Sequence, residues 1–295
     1  MNQQDEALRY FRSYAEDWQH KAVNPASEYS VIEERNNAVL ATMEAMGTVR
    51  RMLDVGCGTG QLVIEAARRG VEAHGIDFAP EMIEQCERNR AEAGVAARFD
   101  CISFFDLPAV DTPYDVVSAQ GFIEYIAPAE MEEFFARCAR LLGPGGSLAV
   151  GSRNRLYNAV SMNAFTALEA ELGVLGALVA EAISLHTSAS QAPALDALRT
   201  HERIDEQPRA HPDTGIGVAV RYQYSPAELI GRLRRHGFEP ARIWPIHFHA
   251  LAPGLKEDHP ALHHEIAKAM QRLAAADPRL VPFCSTFVLD VRRRP

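Results

Sequence analysis

The chain has 295 residues, and its 30 Lys and Arg against 39 Asp and Glu give a net charge of −9. Hydrophobic residues make up 47% and charged residues 23%, which is typical of folded globular proteins and excludes disordered, collagenous and coiled-coil chains. The acidic balance argues against a surface that tracks nucleic acid non-specifically, because such a surface needs clustered Lys and Arg. We therefore expect a globular protein that does not bind nucleic acid.

Cysteine content and hydropathy favour a cytoplasmic protein. The five cysteines are odd in number and include no CxxC pair, so reduced thiols are favoured over a disulfide framework. Residues 1–6 contain neither a basic nor an apolar segment, and no signal peptide is expected. The longest apolar run, residues 172–180, is much shorter than the roughly 20 residues of a membrane-spanning helix. No membrane span is predicted.

From about residue 50 to 150, short apolar runs alternate with amphipathic segments. The predicted strands are residues 52–55, 71–77, 97–102, 114–119 and 147–151. Helices are predicted to begin at Gln61, Pro80 and Pro128, and glycines end the first and third of them. Apolar strands that alternate with helices predict a parallel sheet covered on both faces, and hence an α/β fold.

Residues 152–222 interrupt this alternation. Residues 158–184 are rich in Ala, Leu and Val at helical spacing, and residues 193–206 predict a second helix. The alternation resumes with a helix at 227–236, and the last predicted elements are a strand at 241–248, a helix at 260–276 and a strand at 286–292. An insertion of this length usually forms a lid or substrate cap.

A glycine-rich loop follows the first predicted strand, with the sequence Leu53-Asp54-Val55-Gly56-Cys57-Gly58-Thr59-Gly60. Glycines let the backbone turn sharply and approach a ligand, and the next helix offers free N–H groups to an anion. Asp77 ends the second strand, where it is placed to accept the hydroxyls of a ribose. NAD is the alternative ligand, but Gln61 breaks its G-x-G-x-x-G fingerprint and Asp54 would repel a pyrophosphate. A cationic adenosyl ligand without phosphate fits better.

The loop and four further motifs resemble those of class I S-adenosylmethionine (SAM) methyltransferases, in the small-molecule branch with the ubiquinone-biosynthesis enzymes. The loop is similar to E/D-x-G-x-G-x-G, and residues 75–82 resemble the motif whose acid holds the ribose. Residues 102–108 stand where the family has G-D-A-x-x-L-P, with Ser103 in place of Asp. Residues 114–117 and 141–146 resemble the fourth strand and the turn into the fifth.

The resemblance covers residues 50–152 strongly and 223–293 more weakly. It implies a Rossmann-like, doubly wound, mostly parallel seven-stranded sheet, and the inserted helical cap predicted from the sequence pattern stays outside the resemblance. Residues 1–151 would hold N-terminal helices and the SAM-binding half of the core. Residues 152–222 would form the cap, and residues 223–295 would complete the core with a second helical insertion.

The implied cofactor is SAM, and the implied partner is a small-molecule methyl acceptor. The residues expected to contact SAM are Asp54, Gly56, Cys57, Gly58, Gly60, Asp77, Phe78, Met82, Ser103, Phe104, Gln120 and, on a leading helix that closes over the cofactor, Tyr14 and Trp18. The expected reaction methylates a small or medium-sized, partly apolar metabolite, at oxygen rather than nitrogen or carbon. The alternatives are a catalytically inactive SAM-binding partner protein and a Rossmann nucleotide-dependent oxidoreductase.

Two histidines are candidate catalytic bases. His247 and His249 alternate along one predicted strand, so both imidazoles share a face near its carboxyl end, where ligands of open α/β sheets bind. A base that removes the acceptor's proton would assist methyl transfer. The alternative is that both are ordinary, partly exposed histidines. Asn154, Arg155 and Tyr157 follow the fifth strand and are placed either near the cavity entrance or in helix capping.

No metal site is expected. Some ubiquinone-type methyltransferases carry E-x-x-E-H after the fourth strand, but here the corresponding positions are Gly121, Glu124 and Tyr125. One carboxylate would hold a divalent cation weakly. His259, His263 and His264 share a predicted helix, and without a nearby Cys or matched carboxylate they are interpreted as a solvated surface.

Overall fold

The structure, a computed structural model, describes residues 3–13, 19–20, 29–201, 204, 206–215, 218–251 and 253–295. Its strands are β1 (Arg51–Val55), β2 (Glu72–Asp77), β3 (Arg98–Cys101), β4 (Tyr114–Gln120), β5 (Leu142–Arg153), β6 (Phe238–Phe248) and β7 (Cys284–Arg293). Its helices are α1 (Gln3–Ser13), α2 (Val31–Met46), α3 (Gln61–Arg68), α4 (Pro80–Ala93), α5 (Pro128–Leu141), α6 (Arg155–Val160), α7 (Ala164–Glu171), α8 (Leu175–His186), α9 (Gln191–Leu198), α10 (Pro226–Arg235), α11 (Pro253–Asp258) and α12 (Pro260–Ala274). Short 3₁₀ helices span Phe104–Asp106 and Pro278–Phe283.

The seven strands form one sheet in the order β3-β2-β1-β4-β5-β7-β6. Strands β1 to β5 pair in parallel, and β7 runs antiparallel to both of its neighbours. The predicted Rossmann-like, mostly parallel seven-stranded sheet is therefore confirmed. The strand order reverses between β1 and β4, and ligands of open α/β sheets bind outside the carboxyl ends of the strands at such a point.

Both faces of the sheet are covered by helices. On β1, Met52 packs into one apolar cluster and Leu53 into the other, and on β4 Val116 and Val117 divide in the same way. Successive side chains of a strand point to opposite faces, so strands that are apolar throughout require two cores. This burial explains why the strands carry continuous apolar runs.

Several boundaries differ from the predicted ones. The helical segment predicted at 158–184 is divided into α6, α7 and α8, because Met162 (φ 53°) and Gly173 (φ 74°) adopt left-handed backbone angles that end a helix. The helix predicted at 193–206 is confined to α9. Strand β5 is longer than predicted, since it begins within the glycine-rich segment that follows α5.

The helices inserted between β5 and β6 pack into the main core. Leu156, Leu178 and Leu198 belong to the same buried cluster as Leu148 of β5 and Leu289 of β7. Residues 152–222 are thus continuous with the apolar core beside the sheet. None of the described helices combines the length and the hydrophobicity needed to cross a membrane.

Candidate active site

A cavity of about 520 Å³ lies at the carboxyl ends of β1, β2 and β4, within the range of about 300–1,000 Å³ usual for small-molecule sites. The residues expected to contact the cofactor that line it are Asp54, Gly56, Cys57, Gly58, Asp77, Phe78, Met82, Ser103, Phe104 and Gln120. Tyr14 and Trp18 lie outside the described residues, and Phe11 from the same leading segment lines the cavity. The sequence motifs therefore contain the residues of one wall of this cavity.

The glycine-rich loop is anchored to β2 and turned toward the cavity. The backbone N–H groups of Gly56 and Cys57 both donate to the carbonyl of Ile76, at 2.9 and 3.0 Å. Gly58, with φ 56°, donates its N–H to Asp77 Oδ2 at 3.1 Å. A residue with a side chain rarely adopts this φ, so glycine lets the loop reach Asp77.

Gly60 has a packing role instead of a place in the cavity wall. It precedes α3 with φ 85°, and a Cβ there would lie 2.8 Å from the Phe99 ring. The expectation that Gly60 contacts the cofactor is not supported by the lining of the cavity. A side chain at Gly60 would separate α3 from β3.

Two buried carboxylates define the acidic end of the cavity. Burial raises the pKa of Asp54 to about 7, with repulsion from Asp77 adding to the shift and a hydrogen bond from Ser118 opposing it. Burial likewise raises the pKa of Asp77 to about 6, opposed by the N–H groups of Ala79 and Gly58. A positively charged ligand would favour the ionised form of both acids.

The same end of the cavity has free acceptor atoms. Asp54 Oδ1 and Gln120 Oε1 are buried and have no hydrogen-bond partner among the described residues. Asp77 accepts two backbone N–H groups, and a carboxylate has further lone pairs to offer. Ribose hydroxyls and an ammonium group are donors, so the residues present fit an adenosyl cofactor with a cationic tail.

Ser103, which stands where the family motif G-D-A-x-x-L-P has Asp, caps a short helix. Its hydroxyl oxygen accepts the N–H of Phe105 at 3.3 Å and thereby caps the short helix Phe104–Asp106. Apolar side chains of Phe78, Met82 and Ile102 also line the cavity. Ser103 is therefore an uncharged helix cap. The apolar side chains around it suit a flat ring.

The opposite end of the cavity is positively charged and aromatic. This end is lined by Arg35 of α2, by Arg221, which precedes α10, and by Tyr125 and Phe122. Arg35 Nη2 lies 3.0 Å from Glu124 Oε1, and Arg221 Nη2 lies 2.7 Å from Glu124 Oε2. Glu124 is fully buried, and a buried carboxylate needs such partners.

The arginines outnumber the carboxylate that joins them. Glu124 Oε1 also accepts the backbone N–H of Arg153 at 3.1 Å. Although burial raises the pKa of Glu124, the charges of Arg221, Arg35 and Arg153 outweigh it and hold that pKa below its usual value. Three guanidinium groups thus surround one carboxylate in the described part of the chain. Both Glu124 oxygens are engaged by protein donors, which makes Glu124 an ion-pair partner.

Sequence reasoning missed Arg35 and Arg221. Arg35 lies in an N-terminal helix without a motif, and Arg221 ends the insertion; 97 positions separate Arg221 from its hydrogen-bond partner Glu124. No local spacing joins these three residues. Only Glu124, an acid directly after an apolar strand, carried a sequence signal.

The candidate bases lie away from the cavity. His247 and His249 are not among its described lining residues; they contact His263 of α12. The ring of Tyr29, which does line the cavity, stacks on His247 with centroids 4.9 Å apart. His247 and His249 do share one cluster, but the structure does not bring them to the expected ligand.

Three further expectations change with the structure. His263 is fully buried, so its assignment to a solvated surface was wrong, whereas His259 is exposed. Arg155 is buried and pairs with Glu169 at 2.8 Å. The Asn154 amide donates to the carbonyls of Val281 and Cys284. Asn154, Arg155 and Tyr157 are therefore absent from the described cavity wall, and of the described residues between 152 and 222 only Arg221 belongs to it.

Part of the chain is similar in sequence to known methyltransferases. Residues 52–146 match the family model described as a methyltransferase domain. The ubiquinone biosynthesis O-methyltransferase of Burkholderia pseudomallei (strain 1710b) is 31% identical over 143 residues, which are 47% of this chain and 60% of that protein. The chain thus covers less than two thirds of the length of this relative.

Solved structures share the whole fold at low sequence identity. The magnesium protoporphyrin IX methyltransferase from Synechocystis PCC 6803 with bound SAH aligns with a TM-score of 0.59 and 15% identity, covering 99% of this chain and all of that one. The 1,6-didemethyltoxoflavin-N1-methyltransferase of Burkholderia thailandensis aligns with a TM-score of 0.55 and 12% identity, covering 99% of this chain and 89% of that one. Residues 52–146 therefore match a methyltransferase domain, and the chain shares the fold of these solved methyltransferases. The cavity lining fits an adenosyl cofactor, and the first of these structures holds SAH.

Removing the Asp77 carboxylate should weaken SAM binding. The variant Asp77→Ala deletes charge-assisted hydrogen bonds, and we expect a loss of about 1.5–3 kcal/mol in binding free energy by calorimetry. The exposed Asp106, outside the described cavity wall, provides the matched control Asp106→Ala. An unchanged SAM affinity in folded Asp77→Ala would remove Asp77 from the site.

Cofactor affinity should depend on pH. Protonation of Asp54 and Asp77 as the pH falls through about 7 and 6 removes negative charge from the site, so the Kd for SAM should rise roughly tenfold or more between pH 8 and pH 5.5. Folding raises both pKa values, so the ligand-free protein should lose stability as the pH rises toward about 7. Bound SAM should offset that loss. Calorimetry and thermal melts across this range measure both effects.

The matched controls separate the acids from a neighbouring histidine. Asp54→Asn should flatten the upper part of the pH dependence. His20 also lines the cavity, and His20→Gln should retain the dependence. A Kd that does not change with pH in the parent protein would contradict the assigned role of the two acids.

Loss of the Glu124 carboxylate should destabilise the fold strongly. Glu124→Ala leaves Arg35 and Arg221 without their buried counterion, and we expect the free energy of unfolding to fall by about 3–5 kcal/mol. Glu133, which forms a surface pair with Arg137 at 3.0 Å, is the control, since Glu133→Ala should cost only about 0.5 kcal/mol. Equal denaturation midpoints for the two variants would show that the Glu124 ion pairs contribute little.

Proposed function

We propose that the protein methylates an anionic, partly apolar small molecule, with transfer from SAM to oxygen favoured. One observation carries this proposal: the two ends of a single cavity differ in charge. Asp54 and Asp77 lie near the ends of β1 and β2, whereas Arg35 donates to Thr286 of β7 and Arg221 pairs with Glu124, which also binds the end of β5. The first end suits a cationic cofactor, and the second suits a negatively charged acceptor.

The arginine end has the features of a site for an aromatic acid or phenol. Its apolar wall contains Phe11, whose ring packs edge-on against Tyr125, together with Phe122 and Ile126. Arginine guanidinium groups present several donors in a planar fork, which matches a carboxylate or a phenolate. The ubiquinone relative methylates at oxygen according to its name, which supports an oxygen acceptor here.

Activation of the acceptor follows from charge at this end. A nearby positive charge favours the ionised form of an acid, so Arg35 and Arg221 would lower the pKa of an acceptor hydroxyl. SAM, when bound, supplies an electrophilic methyl group. The chain then needs to orient the two molecules and exclude water. No histidine base is required when the acceptor oxygen is already ionised.

Tyr125 fits the role of a hydrogen-bond donor to that oxygen. Burial raises its pKa above the usual value, so the hydroxyl stays protonated near neutral pH. The hydroxyl is buried without a partner among the described residues, and the guanidinium of Arg221 lies 5.3 Å from the ring centre. An acceptor anion would satisfy both groups.

Substitution of Arg221 should affect the acceptor more than the cofactor. With an aromatic acid or phenol that serves as acceptor, Arg221→Gln should raise KM by about 10- to 100-fold through loss of a charge-assisted hydrogen bond. The Kd for SAM should change less than twofold. Arg221→Lys retains the charge and should recover part of the loss, and the surface variant Arg137→Gln is the control.

The acceptor is found by measuring SAH release with a panel of phenols and hydroxylated aromatic acids, in which each acid is paired with its methyl ester, which lacks the carboxylate charge but keeps the acceptor hydroxyl. Turnover of the anions, with a penalty for Arg221→Gln that is absent for neutral acceptors, supports the proposal. Equal penalties for charged and neutral acceptors would contradict it. SAM binding without turnover of any compound would instead favour the catalytically inactive alternative.

A further inference from the structure

Three histidines meet at the carboxyl end of β6, outside the cavity. His247 is the second-last residue of that strand, His249 follows its end, and His263 comes from α12. The Nε2 atoms of His247 and His263 lie 3.0 Å apart. The His249 ring centre is 4.3 Å from that of His247 and 4.7 Å from that of His263. One ring nitrogen from each residue lies within 4.8 Å of the other two.

The hydrogen bonds of this histidine cluster, formed by His247, His249 and His263, are incomplete. Both ring nitrogens of His249 and Nδ1 of His263 are buried and have no partner among the described residues. A neutral imidazole carries one donor and one acceptor nitrogen, and leaving such groups buried without partners is costly. A bound ion would accept the lone pair of His249 and so satisfy one of these unpartnered nitrogens.

His247 is held in an unusual conformation within the cluster. Its φ is 62°, a left-handed angle that is uncommon for residues with a side chain and concentrated at functional sites. Its N–H donates to the Tyr29 hydroxyl at 2.8 Å, and its Nδ1 hydrogen-bonds with Ser285 Oγ at 2.9 Å. The second nitrogen of a metal-bound histidine is commonly fixed in this way.

The charge of Lys256 opposes a cation at this cluster, because Lys256 interacts electrostatically with all three histidines.

We propose that His247, His249 and His263 form a binding site for a divalent transition-metal ion, with Zn²⁺ as the best fit. Zinc–nitrogen distances of about 2.0–2.1 Å in tetrahedral geometry place ligand nitrogens roughly 3.3–3.4 Å apart, close to the spacing of the two Nε2 atoms. Imidazole suits zinc, copper and nickel, whereas magnesium and calcium require oxygen ligands. Three imidazoles leave a fourth coordination position for water or another ligand.

The site would connect the second helical insertion to the cofactor cavity. The ion would tie α12 to the end of β6, and the His247 ring stacks on Tyr29 of the cavity wall. The inference is independent of the proposed function, because none of the three histidines lines the described cavity.

Titration of the full chain with metal tests this site. The protein is freed of any affinity tag and treated with a chelator, and Co²⁺ is then added while its visible absorption is recorded. We expect one equivalent per chain with a Kd in the micromolar range or tighter, and displacement by Zn²⁺. Zinc should also raise the Tm. Less than stoichiometric binding by the parent protein would overturn the proposal.

Variants assign the binding to these residues. His263→Gln and His249→Gln should weaken Zn²⁺ binding at least tenfold and abolish the rise in Tm, whereas the exposed His259→Gln should behave as the parent. Retained affinity in the folded cluster variants would refute the site. If those variants fail to fold, X-ray absorption of the zinc-loaded parent decides. Three imidazole nitrogens at about 2.0 Å support the site, and sulfur or oxygen ligands alone refute it.

Discussion

The ion pairs of the buried Glu124 carboxylate are the interaction on which the cavity depends. Glu124 joins the N-terminal helix α2 through Arg35, the end of β5 through the Arg153 N–H, and the end of the insertion through Arg221. A buried charge costs several kcal/mol unless all its partners are present. The three segments are therefore stable in their places only together, and this coupling closes the chain around the far end of the cavity.

Because of the excess positive charge around Glu124, the two sides of the cavity differ in charge. Two buried acids lie near the glycine-rich loop, and the arginines lie beside the aromatic wall. Transfer of a methyl group from a cation to an anion neutralises both charges, so a dry cavity disfavours the separated charges more than the neutral products. Under the proposed function, the charge distribution of the protein would orient the two ligands, and the low dielectric would then favour the reaction between them. Rate enhancement of this kind does not require a proton-transfer residue.

The parts of the molecule that local sequence determines were predictable. Apolar runs, glycines and prolines specify the strands of the sheet, and Asp77 follows from its place at the end of β2. Interactions between distant segments were not predictable, because no spacing along the chain encodes them. Arg221 is 97 positions from Glu124, and His263 reaches His247 across a helix and a turn. The insertion shows the same limit of sequence-based prediction. Its helical periodicity is visible in the sequence, whereas its interruptions at Met162 and Gly173 depend on backbone angles.

The position of His247 and His249 shows why strand order decides where a residue acts. The sequence predicts both on one strand near its carboxyl end, at the edge of the sheet that binds ligands, and the structure has His247 in β6 and His249 directly after it. However, β7 lies between β5 and β6, so the three strands β4, β5 and β7 separate the end of β6 from the switch point between β1 and β4. The Tyr29 ring stacks on His247, and Tyr29 also lines the cavity. The same edge of one sheet thus holds two chemically distinct places, a charged cavity at its centre and a cluster of imidazoles at its end, and Tyr29 contacts both.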